Sequence, residues 1–227
     1  MRMMVLSWLG EVLYPSKCIL CGRGLKKQET DLCGACRVTA PEYPYSRSKP
    51  APKGNLNLRF LDSFTAVWYY EGDVRKSIHR FKFSRKAHLS AGYGRMVALR
   101  LEETFPEGFD YLTWVPVSSL RRMRRGYDQT ELLARAVGRE LRFPPVRLLK
   151  KVRNTRPQFK QATPEARRAN VAGAFAPFES IDLTGKRIVL LDDIYTTGAT
   201  ASECGRILRG MGAKEVHIAT IAAARRR

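Results

Sequence analysis

The sequence predicts an α/β protein, a parallel sheet flanked by helices and preceded by a small cysteine-rich module. Three observations predict it. Ile188-Val189-Leu190-Leu191 is an apolar run without alternation, which suits a strand covered on both faces. Strand-like and helix-like stretches alternate from about residue 60 onward, and right-handed crossovers between them build a three-layer domain. Cys18-x-x-Cys21 and Cys33-x-x-Cys36 stand eleven residues apart, close enough for four thiolates to meet on one metal.

Before the cysteines, Val5, Trp8, Leu9, Val12 and Leu13 recur at helical spacing. They predict a short amphipathic helix that packs on the next module or lies at a membrane interface. Glu11 interrupts this run and no small-residue cleavage site follows, so it is read as neither a signal peptide nor a membrane span. A cytoplasmic location is expected. The four cysteines read either as a structural zinc site or as disulfides. Without an export signal the thiols are expected to stay reduced, which favours zinc, and with all four positions cysteine no ligand position is left for catalysis. Zinc loss is expected to unfold the ribbon and leave the α/β part standing. Residues 1–45 are assigned to the zinc ribbon with its helix and 46–59 to a linker, with Pro50 and Pro52; residues 60–227 form the α/β domain.

Within that domain Ser63 to Tyr70 is rich in aromatic and β-branched residues and reads as a strand. A helix follows with Val74, Ile78 and Phe81 on one face, and Lys82-Phe83-Ser84-Arg85-Lys86 is expected to break it. A second helix runs from about Ala87 to Glu103, and Tyr111 to Val117 is another strand. It empties into a basic loop with Ser118, Ser119, Arg121, Arg122, Arg124 and Arg125. These arginines read either as a solvated face or as bidentate donors to pyrophosphate oxygens, and single-stranded DNA is expected to bind through the same four, Arg121, Arg122, Arg124 and Arg125. Asp128 with Glu131 predicts a capping box for the helix carrying Leu133, Val137 and Leu141. Thr163-Pro164 opens a short helix after a polar segment that suits a mobile lid. Ala199 to Met211 is a helix with Cys204 and Leu208 inward, and Val216 to Ala222 is the last strand.

At the end of the Ile188–Leu191 strand stand Asp192 and Asp193, followed by Thr196-Thr197-Gly198-Ala199-Thr200. Parallel sheets bind ligands beyond the carboxyl ends of their strands, and a glycine-containing turn into a helix N-terminus offers N–H groups to a phosphate. Two adjacent acids would repel that phosphate, so they are better placed to accept hydrogen bonds from vicinal hydroxyls of a sugar. The inferred ligand is a ribose 5-phosphate. The alternative is a buried strand with an acidic end and an ordinary helix cap.

The net charge is +20, and residues 111–175 hold 15 Lys and Arg against 4 Asp and Glu, a net of +11. Such a field attracts polyphosphates or nucleic acid without choosing between them.

The pattern from Ile188 to Thr200 resembles the PRPP-binding motif of type I phosphoribosyltransferases. The resemblance implies a phosphate loop from Thr196 to Thr200, with Asp192 and Asp193 on the ribose hydroxyls as the catalytic acids, and Mg²⁺ accompanying PRPP. The cysteine module, Ile78-His79-Arg80-Phe81-Lys82-Phe83, Arg125-Gly126-Tyr127-Asp128-Gln129 and Arg167-Arg168-Ala169-Asn170-Val171 extend the likeness over nearly the whole chain. Together they resemble the ComF family, which joins a zinc ribbon to a phosphoribosyltransferase-like domain. This implies a role in uptake of transforming single-stranded DNA beside a competence helicase. It also aligns the loop with Ser118 and Ser119 to the pyrophosphate loop of amidophosphoribosyltransferases, and residues 153–171 to their flexible catalytic loop. Asp128 stands where many relatives have Asn, and both residues cap helices. Three readings follow: a competence-type protein that binds PRPP, an active phosphoribosyltransferase with an unidentified acceptor, and a non-catalytic nucleic-acid adaptor.

Overall fold

A computed structural model describes residues 16–44, 59–155 and 163–225. The helix expected over residues 5–13, all but Arg59 of the linker, and residues 156–162 of the basic segment, with Phe159, lie outside these. No helix among the described residues is long and apolar enough to cross a membrane.

Four parallel strands form the main sheet in the order β1-β6-β5-β2: β1 Ser63–Tyr69, β2 Tyr111–Trp114, β5 Arg187–Tyr195 and β6 Glu215–Ala223. A separate antiparallel pair, β3 Leu149–Lys151 with β4 Phe175–Pro177, stands beside it. Successive residues of β5 enter opposite faces, as the two-residue period of a strand requires. Val189 and Leu191 join a cluster with helices α2 (Gly72–Phe83), α3 (Leu89–Thr104) and α5 (Gln129–Glu140). Ile188 and Leu190 join another with α7 (Ala199–Gly210) and the β3–β4 pair. This bears out the expected fold class of a parallel sheet flanked by helices.

The elements differ from the sequence reading in several places, among them α2, which runs through Lys82 and Phe83 where the sequence predicts a break, and the β3–β4 pair, which it does not predict. The strand placed at Ile188–Leu191 continues to Tyr195, because Asp192, Ile194 and Tyr195 still pair with Thr220, Ala222 and Ala223 of β6. The loop placed after Val117 is a short helix, α4 (Ser119–Arg125), capped by the Ser118 hydroxyl and stopped by Gly126. The capping box is half formed: Asp128 accepts the N–H groups of Thr130 and Glu131, while the Glu131 carboxylate holds Arg135 at 2.8 Å. Thr163 caps α6 (Pro164–Val171) as its sequence position predicts.

The cysteine module, with a short helix α1 (Gly34–Thr39), is built against α2 and α3. Its Ile19, Leu20 and Leu32 share the apolar cluster of those helices. Ser77 and Arg80 of α2 donate to the Ile19 and Leu20 carbonyls. Asp31 accepts from both Nε and Nη2 on one edge of the Arg95 guanidinium from α3. Contact this close revises the expectation that the α/β part is indifferent to the module, since unfolding it would strip apolar cover and hydrogen-bond partners from α2.

Gly92 marks the closest approach, since a Cβ there would lie 2.7 Å from Ile19 Cγ2 and 2.9 Å from Asp31 Oδ1. Replacing Gly92 by Ala should therefore destabilise the protein by about 1–3 kcal/mol. Urea unfolding measures this, and an unchanged midpoint would mean that the module yields freely on α3.

Candidate functional site

β2 ends with Trp114 opposite Leu191, so the next two residues of β5 are flanked by β6 and clear of β2. After β2 the chain folds onto one face through α5, and after β5 onto the other through α7. Opposed crossovers open a crevice between the carboxyl ends of the two strands, the usual ligand position in such sheets. Asp192, half-buried, and Asp193, buried, stand at this end of β5, one toward each face of the sheet.

Asp193 is held on both oxygens. The Lys82 ammonium, from the last turn of α2, is 2.9 Å from Oδ1, and Gln129 Nε2 donates to Oδ2 at 3.0 Å. Gln129 is in turn oriented by Arg125, whose Nη1 donates to its Oε1 at 2.6 Å. Asp192 Oδ1 accepts the Asp193 N–H at 2.8 Å. Burial, then the neighbouring Asp193 carboxylate, pushes the Asp192 carboxyl well above its usual range, with Lys82 opposing. Across the crevice, burial and then Arg121 bring the Lys151 ammonium down to about 8.

Past Tyr195 the chain turns through Thr196, exposed, and Thr197 into Gly198, which has φ +74° and stands as N-cap of α7. That left-handed conformation is one that a glycine adopts without strain. The first N–H groups of α7 have no partner within the helix, so the turn has the elements of a phosphate cradle. The five residues Thr196 to Thr200 thus follow the acidic pair after Ile194 and Tyr195.

The arginine quartet is divided. Arg121 is half-buried and donates to the Thr155 carbonyl at 2.9 Å, and Arg125 holds Gln129 while its guanidinium lies 5.0 Å from the Phe83 ring centroid. Arg122 and Arg124 are exposed on α4, beside exposed Leu120 and Met123. Ser118 is buried as the α4 cap, and Ser119 lines a cavity of about 130 Å³ with Arg122, Asp128 and Lys151.

At the other end of the chain, the Sγ atoms of Cys18, Cys21, Cys33 and Cys36 lie within 4.8 Å of one another, and those of Cys21 and Cys33 are 3.7 Å apart. Tetrahedral thiolate coordination of zinc needs an S–S edge of about 3.8 Å, so the cluster fits that metal. Burial raises the Cys18 thiol, but hydrogen bonds from the Cys21, Cys33 and Leu20 backbone outweigh it and bring the thiol to about 7. A partly ionised thiol already suits a metal ligand.

Sequence reasoning missed Lys82 and Gln129 as site residues. Lys82 follows Ile78 by four positions, on the face that packs inward, and a lysine there needs a buried partner. Gln129 sat inside a quoted motif, but only the fold brings it to Asp193.

The sequence is similar to known proteins. The family profile described as Phosphoribosyl transferase domain matches residues 128–227. The chain is 26% identical over 220 residues to Competence protein F of Haemophilus influenzae, covering 89% of this chain and 94% of that one. It is 28% identical over 210 residues to DNA utilization protein YhgH of Salmonella typhimurium, covering 88% and 87%. With Competence protein ComFC of Bacillus subtilis it shares 25% over 198 residues, covering 86% and 78%.

Because its pKa is raised by the fold, ionising Asp192 opposes folding. The stability associated with the group is complete below the ordinary carboxyl pKa and falls as pH rises through the raised one. Thermal unfolding should show Asp192→Asn gaining on the wild type as pH rises from about 4 to about 9, by roughly 2–4 °C for each kcal/mol. A pH-independent offset would remove the raised ionisation from Asp192.

Proposed function

This chain belongs to the ComF family, and from that premise we propose that it binds PRPP or ribose 5-phosphate, with Mg²⁺, at the carboxyl end of β5 and serves the handling of transforming single-stranded DNA. The observation that carries the reading is the continuity of β5: two carboxylates beyond the end of β2 lead, through Ile194 to Thr197, to a positive-φ glycine that opens a helix. Asp192 and Asp193 take the ribose hydroxyls, and the turn from Thr196 to Thr200 takes the 5-phosphate on its N–H groups. Carboxylate oxygens are also the donors that Mg²⁺ prefers. Ser118 and Ser119 border the pyrophosphate side. If transfer to an acceptor follows, the acids stabilise the positive charge that develops on the ribose.

Calorimetry with PRPP and Mg²⁺ tests the site. Losing one charge-assisted acceptor costs about 1.5–3 kcal/mol, so Asp193→Asn should weaken binding by roughly ten- to a hundredfold. Gly198→Val, which forces a β-branched residue to positive φ, should abolish phosphate binding with both acids intact. Wild-type affinity in both variants would sink the phosphoribosyl reading. Pyrophosphate released from PRPP in the presence of candidate acceptors separates a transferase from a binding protein.

The DNA role is supported by two relatives named as competence proteins and one as a DNA utilization protein, and by the basic middle of the chain. The outward arginines Arg122 and Arg124 are the proposed phosphate contacts. Each contact contributes about 0.7 to the log-log salt slope for a single strand, so replacing both by Ala should lower the slope by about 1.4. An unchanged slope would move the DNA site off α4. A helicase partner and a cytoplasmic location remain part of this proposal. The cysteine cluster is proposed to hold one structural zinc, which elemental analysis of protein purified without chelator should find at one per chain.

A further inference from the structure

The cation at the acidic pair is a fixed part of the fold. Lys82 Nζ is 2.9 Å from Asp193 Oδ1, the Lys82 side chain is only 18% exposed, and the Asp193 side chain is 7% exposed. Among the described residues no other ammonium or guanidinium makes an ion pair with Asp192 or Asp193. Its backbone is anchored on two sides. Ser77 and Arg80, in the preceding turns of α2, donate to Ile19 and Leu20 of the cysteine module, and the Phe81 carbonyl accepts the Tyr127 hydroxyl. The Phe81 side chain beside Lys82 is fully buried. The ammonium is therefore delivered to the carboxylates by a helix with little freedom to withdraw it.

A sugar phosphate entering this site brings further negative charge to two carboxylates. In water-poor surroundings that approach needs a compensating cation within a few ångströms. A divalent metal is one source of that charge, but it would have to approach an Asp193 whose oxygens are already engaged by Lys82 and Gln129. An ammonium is a compact point charge with three donors, so it can keep one bond to Asp193 and offer another to a ligand oxygen.

We propose that Lys82 is a ligand-contacting residue of this site, supplying from the protein the positive charge that a divalent cation would bring, so that ribose 5-phosphate binds without metal. The inference rests on reading the β5 end as a sugar-phosphate site. Lys82 then ties Asp193 to the ligand, and Mg²⁺ adds to binding chiefly when a second phosphate group, as in PRPP, is present.

Titration calorimetry with ribose 5-phosphate, once in Mg²⁺ and once in EDTA, tests it on full-length wild type, Lys82→Met and Lys82→Arg. Wild type should bind in EDTA within about tenfold of its affinity in Mg²⁺. Lys82→Met should lose at least about tenfold in EDTA and recover part of it with Mg²⁺, whereas Lys82→Arg should stay near wild type without metal. A purely structural salt bridge would give no such split between the two buffers. Wild type that binds in Mg²⁺ and fails in EDTA overturns the inference alone. Equal EDTA affinities for Lys82→Met and wild type overturn it as well. No binding of ribose 5-phosphate or PRPP to wild type in Mg²⁺ overturns the sugar-phosphate reading and this inference with it. Should Lys82→Met fail to fold, the wild-type buffer comparison and Lys82→Arg still decide.

Discussion

Adjacent carboxylates on a strand that is shielded from water repel each other and lose hydration together, and much of the surrounding structure compensates for that pair. Asp193 receives Lys82 on one oxygen and Gln129 on the other, and Gln129 is itself turned by Arg125. Asp192 has the Asp193 N–H and responds to its environment by holding its proton more tightly. Removing one partner from a buried ion pair commonly costs about 3–5 kcal/mol, because an uncompensated charge is left behind. α2, α4 and α5 are therefore tied to the end of β5 by electrostatics as well as by packing.

Through α2 this constraint reaches the cysteine module. Cys18 and Cys21 bracket Ile19 and Leu20, whose carbonyls take Ser77 and Arg80 and whose side chains enter the cluster with Phe81 and Tyr93. Tyr93, fully buried, completes the contact through its hydroxyl, 2.5 Å from Ser77 Oγ. The cysteine-clustered turn, held at Ser77 and Arg80, and the acidic pair, held at Lys82, thus share the C-terminal half of one helix. The small module acts as a buttress: it fixes the height and rotation of the helix that carries Lys82.

Elements with strong local signals were legible in the sequence. The unbroken apolar run of β5 announced a strand covered on both faces, and the spacing of Val74, Ile78 and Phe81 announced the buried face of α2, where all three are buried. The cysteine spacing announced a cluster that the fold does bring together. What escaped was set by tertiary contact. β5 runs on through its acids because β6 keeps pairing with it, a fact held in residues 220–223 rather than in the acids themselves. The stretch after Val117 read as a loop because it is so basic, yet Ser118 caps it into a helix and two of its arginines turn inward to Thr155 and Gln129. Lys82 was read as part of a helix break, since its charge hides its inward position until Asp193, 111 residues later, is placed beside it.

The central claim is positional: one sugar phosphate, lying across the carboxyl end of β5, touches the acids, the glycine turn and Lys82 together. A crystal structure of the protein with ribose 5-phosphate tests it most directly. The account predicts the phosphate against the N–H groups at Gly198 and the first turn of α7, with ribose hydroxyls within hydrogen-bond reach of Asp192 and Asp193. A phosphate seated instead among Arg122 and Arg124 on α4, with β5 untouched, would contradict it.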